Sequence, residues 1–203
     1  MARPRNWLTT AMSINEDRIM EIKLIITDFD GTLVNTFLAN YHAYREAFAQ
    51  VGLSLDEQQY RECYGLRFDG FMDKVGISDD EVRKRIRAIK GECYPDHFHL
   101  LQVNQSLLDF IRMFRRCGGK TAVASTARGK NLNNALTHIG ATGDFDLILA
   151  GEDVKQGKPS PEIYETVMSR MGVSPGETLI FEDSPVGLQA AMAAGAHYIK
   201  ITL

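Results

Sequence analysis

The sequence predicts an α/β fold: a parallel sheet core with helices on both faces, plus an inserted α-helical cap. Three observations predict it. Short β-branched runs alternate with amphipathic stretches, the pattern of βαβ units and a parallel sheet. Residues 37–104 carry helical periodicity and no convincing strand, so they read as an insertion after the first strand. Reactive residues follow several strands, and open parallel sheets bind ligands beyond the carboxyl ends of their strands.

The elements follow in order. "EIKLII" (21–26) reads as a fully buried strand, short and apolar, stopped by Asp and Gly. "FLANYHAYREAFAQVG" has apolar and aromatic residues at helical spacing and stops at Gly52. "LDEQQYRECYG" and "SDDEVRKRIRAIKGECY" continue in that style, with Ser78 or Asp79 as N-cap of the latter. "QSLLDFIRMFRRCGG" is an amphipathic helix before the strand "KTAVAS". The helix "GKNLNNALTHIG" and the strand "FDLILA" come next. "SPEIYETVMSRMG" has Ser160 as N-cap and Pro161 at the first helical position, and ends at Gly172. The strand "TLIFED", the helix "PVGLQAAMAAG" and the strand "HYIKI" complete the series. The expected division is a core of 20–36 and 105–203, a helical cap of 37–104, and an N-terminal extension of 1–19 that precedes a complete strand and looks dispensable.

Bulk properties narrow the function. The 203 residues are 44% hydrophobic, enough for a sizeable core, and the net charge of −3 gives no reason to expect nucleic acid as a partner. No apolar run approaches the roughly 18 residues of a membrane span, and the N-terminus lacks the apolar stretch of a signal peptide. Cys63, Cys93 and Cys117 are odd in number and form no C-x-x-C, which suits buried, inert thiols in a reducing, cytoplasmic compartment. Oligomeric state is not readable.

Four loops at strand ends carry chemistry. They hold Asp28 and Asp30 in "DFDGT", Ser125 and Thr126 in "AST", Lys158 in "GKPSP", and Glu182 and Asp183 in "FEDS". Alone, each has a bland reading: a solvated turn, a helix cap, a loop lysine, polar punctuation. Together their charges are complementary. Clustered carboxylates at one sheet end require a cation, and a hydroxyl and a lysine beside them suit a phosphoryl group.

These four motifs, in this order, resemble those of the haloacid dehalogenase superfamily of phosphohydrolases, over about residues 21–203. The helical insertion resembles the cap of its phosphoglycolate-phosphatase-like and β-phosphoglucomutase-like branch. The resemblance implies a Rossmann-like core and a phosphatase acting on a small phosphorylated metabolite. It implies Asp28 as nucleophile, forming an aspartyl phosphate, and Asp30 as general acid and then base. Mg²⁺ would be held by Asp28, the Asp30 carbonyl and Asp183, with Glu182 a direct or water-bridged support. Ser125 would bind a phosphoryl oxygen, and Lys158 would neutralise its charge. An aspartate at position 30 favours phosphate-ester cleavage over carbon–halogen or carbon–phosphorus cleavage.

Substrate readers are expected from Asn40, Tyr41 and His42 at the cap entrance, from Arg67 after Gly65, and from Thr126, Arg128 and Lys130 beyond the second motif. Asn131 reads as a local cap or exposed. The main alternative is a sugar phosphomutase, whose family carries a histidine where this chain has Asn40, with His42 on a different face. A non-enzymatic binding protein on the same scaffold is the other alternative, although no motif aspartate is lost. "RKRIRAIK" (83–90) reads as a helix with an apolar seam and a wet face, and His97 and His99 as structural or exposed, since no carboxylate or cysteine pattern accompanies them in sequence.

Overall fold

The computed structural model describes residues 21–203; the expected extension 1–19 lies outside the described residues. Strand β1 (Leu24–Thr27) is central. The parallel sheet runs in the order β5–β4–β1–β6–β7, with β4 Lys120–Ala124, β5 Leu147–Leu149, β6 Thr178–Glu182 and β7 His197–Lys200. Side chains alternate across β1. Ile25 packs beneath Val123 and Phe181 with helices α5 (Gln105–Arg116) and α6 (Gly129–His138). Leu24 and Ile26 face the other way, toward α7 (Glu162–Met171) and α8 (Pro185–Ala193). All three are at most 1% exposed, and burying such a side chain contributes roughly 1.5–3 kcal/mol. A strand apolar on both faces is thereby fixed at the sheet centre.

Helices α1 (Phe37–Gln50), α2 (Glu57–Cys63), α3 (Phe68–Lys74) and α4 (Asp80–Cys93) intervene between β1 and β4, followed by a 3-10 segment, Tyr94–Leu100. They bury a separate cluster built on Tyr41, Phe48, Tyr60, Phe71, Met72 and Ile86. The stem of this insertion is a two-stranded antiparallel ribbon, β2 (Val34–Asn35) with β3 (Gln102–Val103). The ribbon corrects the expectation of no strand in 37–104. A two-residue strand is too short to show a period of two in sequence. Asn104, next to β3, caps α5 and donates from its backbone N–H to the Leu33 carbonyl, tying the stem to the core.

Local signals explain the helix ends. Asp56 and Gln59 form a capping box on α2, and Asp79 rather than Ser78 caps α4, accepting from the backbone N–H groups of Glu81 and Val82. Helix α7 starts one residue later than expected: Pro161 stands at the N-cap, and Ser160 Oγ accepts from Glu162 N–H. Gly172 ends it in the left-handed conformation. Cys63 and Cys93 are buried, but Cys117, at the end of α5, is exposed, contrary to expectation. Among the described residues no helix is long and apolar enough to cross a membrane.

Candidate active site

The C-terminal ends of β4, β1 and β6 lie side by side, so their last residues converge. Asp28 continues β1: its backbone N–H donates to the Phe181 carbonyl at 2.9 Å. Ser125 continues β4 in the same way, donating to the Leu149 carbonyl. Lys158 arrives on the loop before α7. Glu162, in the first turn of that helix, accepts the backbone N–H groups of Lys155 and Gln156 and holds the loop in place.

Lys158 Nζ lies 2.6 Å from Asp28 Oδ1 and 2.5 Å from Glu182 Oε1, with all three side chains under a tenth exposed. Burial acts to lower the lysine, but Asp28, Tyr164 and Glu182 outweigh it, so the ammonium is held well above its ordinary range. Burial raises the Asp28 carboxyl well above the usual carboxylate range; Lys158 opposes this, while Glu182 and Asp30 reinforce it. Asp183, held by a 2.8 Å hydrogen bond from Thr32 Oγ1, is also raised, first by burial. Gly31 has φ +92° and presses against the Asp183 carboxylate; any Cβ there would collide with it. The turn that follows Asp28 therefore requires glycine on two counts.

Asp30 points toward the insertion. Its Oδ1 accepts from Thr36 Oγ1 at 2.6 Å and from Asn40 Nδ2 at 3.4 Å, and its Oδ2 accepts from Ser125 Oγ at 3.4 Å. Asp28, Asp30 and Asp183 thus gather oxygen ligands around one sheet end, and burial pushes Asp28 and Asp183 toward protonation. A divalent cation of the Mg²⁺ type fits this donor set.

Several expected residues stand elsewhere. Both oxygens of Glu182 are engaged: Oε1 by Lys158 and by Tyr164 at 3.2 Å, Oε2 by the Ser184 backbone N–H at 2.8 Å and hydroxyl at 3.1 Å. Its side chain faces the lysine rather than an open ligand position, because the start of α8 offers it a tight backbone seat against Gly187. Asn40 is buried against Asp30 rather than open to a ligand. Tyr41 packs in the aromatic core of the insertion, 5.9 Å from Tyr60. His42 turns away from the site toward Arg45 and His97. Arg67, the N-cap of α3, does reach the site loop: its guanidinium lies directly against Gly157, next to Lys158. Thr126, Arg128 and Lys130 are exposed beside the start of α6, and Asn131 is half-buried in that helix.

Sequence reasoning missed Lys90. Lys84 and Arg87 do lie on the wet face of α4, paired with Glu81 and Asp69, while Arg83 is half-buried, paired with Asp73 and donating to the Ile77 carbonyl. Lys90 is buried instead, its ammonium 3.7 Å above the Tyr94 ring and 5.2 Å from that of Tyr44. Burial lowers it to about 8, against the pull of Asp30. It also missed Tyr64, whose hydroxyl is 3.2 Å from Thr36 Oγ1 behind Asp30. The signal for Lys90 was present: it follows Ile86 by one helical turn, on the apolar seam of α4.

This sheet and these strand ends define a hydrolase of the haloacid dehalogenase-like class. The pattern of the haloacid dehalogenase-like hydrolase family matches residues 25–201, and the chain belongs to that family. It is a phosphohydrolase, as its curated relatives are. Validoxylamine A 7'-phosphate phosphatase of Streptomyces hygroscopicus subsp. limoneus is 28% identical over 185 residues, covering 89% of this chain and 85% of its own length. The phosphorylated carbohydrates phosphatase of Thermotoga maritima is 29% identical, covering 88% and 84%. The crystal structure of CbbY from Rhodobacter sphaeroides, in complex with phosphate, superposes with a TM-score of 0.81 at 28% identity, covering 90% and 87%.

Proposed function

We propose that the chain hydrolyses the phosphate monoester of a small phosphorylated sugar through an aspartyl phosphate on Asp28. The observation that carries this reading is Asp28 itself: a buried carboxylate at the end of the central strand, 2.6 Å from a buried lysine and beside two further aspartates. Asp28 attacks phosphorus as the bond to the leaving oxygen breaks, and Asp30 gives that oxygen its proton. Water then attacks the aspartyl phosphate, Asp30 takes the water's proton, and free phosphate leaves with Asp28 regenerated. Ser125 and Lys158 hold the phosphoryl oxygens, and Lys158 also favours the ionised nucleophile.

Asp28, the Asp30 carbonyl and Asp183 would hold Mg²⁺, and Glu182 would orient Lys158, contacting a metal only through water. Bound Mg²⁺ supplies positive charge to the phosphoryl oxygens in transfer. Residues 37–104 act as a cap over the site. Arg67 would read the sugar end of the substrate from above, the buried Lys90 would add positive charge behind Asp30, and Thr126 and Arg128 would lie at the outer rim. The relatives named for sugar-like phosphates support the substrate class. The three free thiols are consistent with a reducing compartment such as the cytoplasm.

The test is phosphate release from a panel of sugar phosphates, phosphoglycolate and nucleotides, with Mg²⁺ and after chelation. Mg²⁺-dependent turnover, highest on a sugar phosphate and inhibited by beryllium trifluoride seated on Asp28, is expected. Turnover that survives chelation, or a fluoride complex bound elsewhere, would reject the mechanism.

A further inference from the structure

The insertion carries a second cluster of ligand-type side chains, on the side of α1 that faces the 3-10 segment. Glu46, Cys93 and His97 each offer one ligand atom there, and these atoms all lie within 4.8 Å of one another. One short spacing and one helix contact bring them together. Glu46 lies on α1, against which the 3-10 segment packs. Cys93 closes α4, and His97 follows four residues later in the 3-10 segment packed on α1. His97 Nε2 is 3.3 Å from Glu46 Oε2, close to the edge of about 3.4 Å expected between two ligands of a tetrahedral zinc ion. The His42 ring stands beside that of His97, centroids 5.7 Å apart. This carboxylate and cysteine company, invisible in the linear order, removes the reason for reading His97 as merely structural.

We infer that Glu46, Cys93 and His97 form a three-residue transition-metal site of the Zn²⁺ class, separate from the catalytic carboxylates, with water completing the coordination. Mixed sulfur, imidazole and carboxylate donors select Zn²⁺ over Mg²⁺, which prefers oxygen alone. A path for the ion exists: the Glu46 and His97 side chains are 44% and 20% exposed, while Cys93 forms the closed floor. The thiol now donates to the Ala43 carbonyl at 3.5 Å. Binding therefore forms a metal–sulfur bond and releases the thiol proton to solvent. A bound ion would lock α1, which carries Asn40, to the segment leading back into the core.

The experiment uses the full chain carrying Cys117→Ser, which removes the exposed thiol, in Mg²⁺ sufficient to fill the carboxylate site. Zn²⁺ is titrated by calorimetry in buffers of different protonation enthalpy, and Co²⁺ is titrated by absorption. One Zn²⁺ per chain, about one proton released, and a Co²⁺ thiolate charge-transfer band are expected. The band should vanish in Cys93→Ser, and Zn²⁺ affinity should fall at least about tenfold in His97→Ala and in Glu46→Gln. Those two rim variants keep the test decisive if Cys93→Ser unfolds. Absent Zn²⁺ binding, a band that survives Cys93→Ser, or unchanged affinity in both rim variants would overturn the site.

Discussion

In the sheet, Asp28, Ser125 and Glu182 stand at the ends of three strands, two of which pair directly with β1, and backbone ladders alone bring them together. In the insertion, the groups nearest Asp30 are Thr36 and Asn40 from the start of α1 and Tyr64 from the end of α2, with Lys90 from α4 behind them. Here side-chain packing decides which residue faces inward. Position along a strand therefore predicts chemistry in the first region, whereas in the second only the three-dimensional seam of each helix does. On the proposed mechanism the first region would hold the reacting groups, and the second would surround the proton-transferring carboxylate, Asp30.

The sharpest break of this comparison is Asp28→Asn. It keeps size and removes the nucleophile, so kcat should fall by roughly 10⁴-fold or more, about 5.5 kcal/mol of barrier. The carboxyl is already disfavoured as an ion by burial, so the metal-free variant should melt no lower than the parent. Steady-state kinetics and thermal melting check both. A loss within tenfold would move the nucleophile out of the sheet.

Lys158→Met comes next. It leaves Asp28 and Glu182 buried without their shared ammonium, an imbalance that typically costs about 3–5 kcal/mol. Activity should fall about 10³-fold, and adding Glu182→Gln should restore part of the stability and none of the activity. Chemical denaturation of the single and double variants separates the two effects. Equal recovery of both would show that the lysine serves only the fold.

The chain itself spells out much of the first region. Asp28, Ser125 and Glu182 each end a buried apolar run, so they are legible as residues of one sheet end, while their meeting depends on the order that sets β4 and β6 on either side of β1. Glu182 is legible as a site residue but not in its orientation, because the pull of the Ser184 backbone and Tyr164 is tertiary. The insertion conceals more. Tyr41 and Asn40 are adjacent in sequence and equally plausible as readers, yet one enters an aromatic core and the other seats on Asp30. Lys90 sits in a run of basic residues that ordinarily marks a solvated face, and only its place on the seam of α4 separates it from Lys84 and Arg87. The Cys93–His97 pair lacks its carboxylate partner until α1 folds against it.

Lys90→Met sharpens the comparison from the side of the insertion. An unpaired buried ammonium costs stability, so its removal should stabilise the protein at neutral pH, by on the order of 3 kcal/mol at most. The sign follows from protons: the unfolded chain keeps this one up to its ordinary 10.5 and the folded chain releases it near 8, so in the parent this group's penalty diminishes as pH rises from 8 to 10.5. Function moves the opposite way. KM should rise about tenfold in the variant, and in the parent it should rise above about pH 8 as the charge is lost, with kcat less affected. A flat KM profile, together with an unchanged KM in Lys90→Met, would return Lys90 to a purely structural role.

The smallest expected effect is none, and it asks whether the insertion decides the fate of the aspartyl phosphate. A phosphomutase must keep that group from water until a sugar bisphosphate turns over in the site, which requires an acid–base partner that the cap brings in only on closure. In this chain Asp30 is already gripped by Thr36 and Asn40 from the first turns of α1, and it needs no further partner to accept a proton from water. The amide of Asn40 donates to Asp30 but exchanges no proton with it. Phosphate should therefore appear in step with substrate loss, and a hexose bisphosphate primer should change neither the rate nor the products. Phosphorus NMR of β-glucose 1-phosphate, with and without primer, reads this directly. Primer-dependent conversion to the 6-phosphate with little free phosphate would show that the helices, and not the sheet, set the reaction. A loss of primer independence confined to Asn40→His would show that this one position of α1 is where they do so.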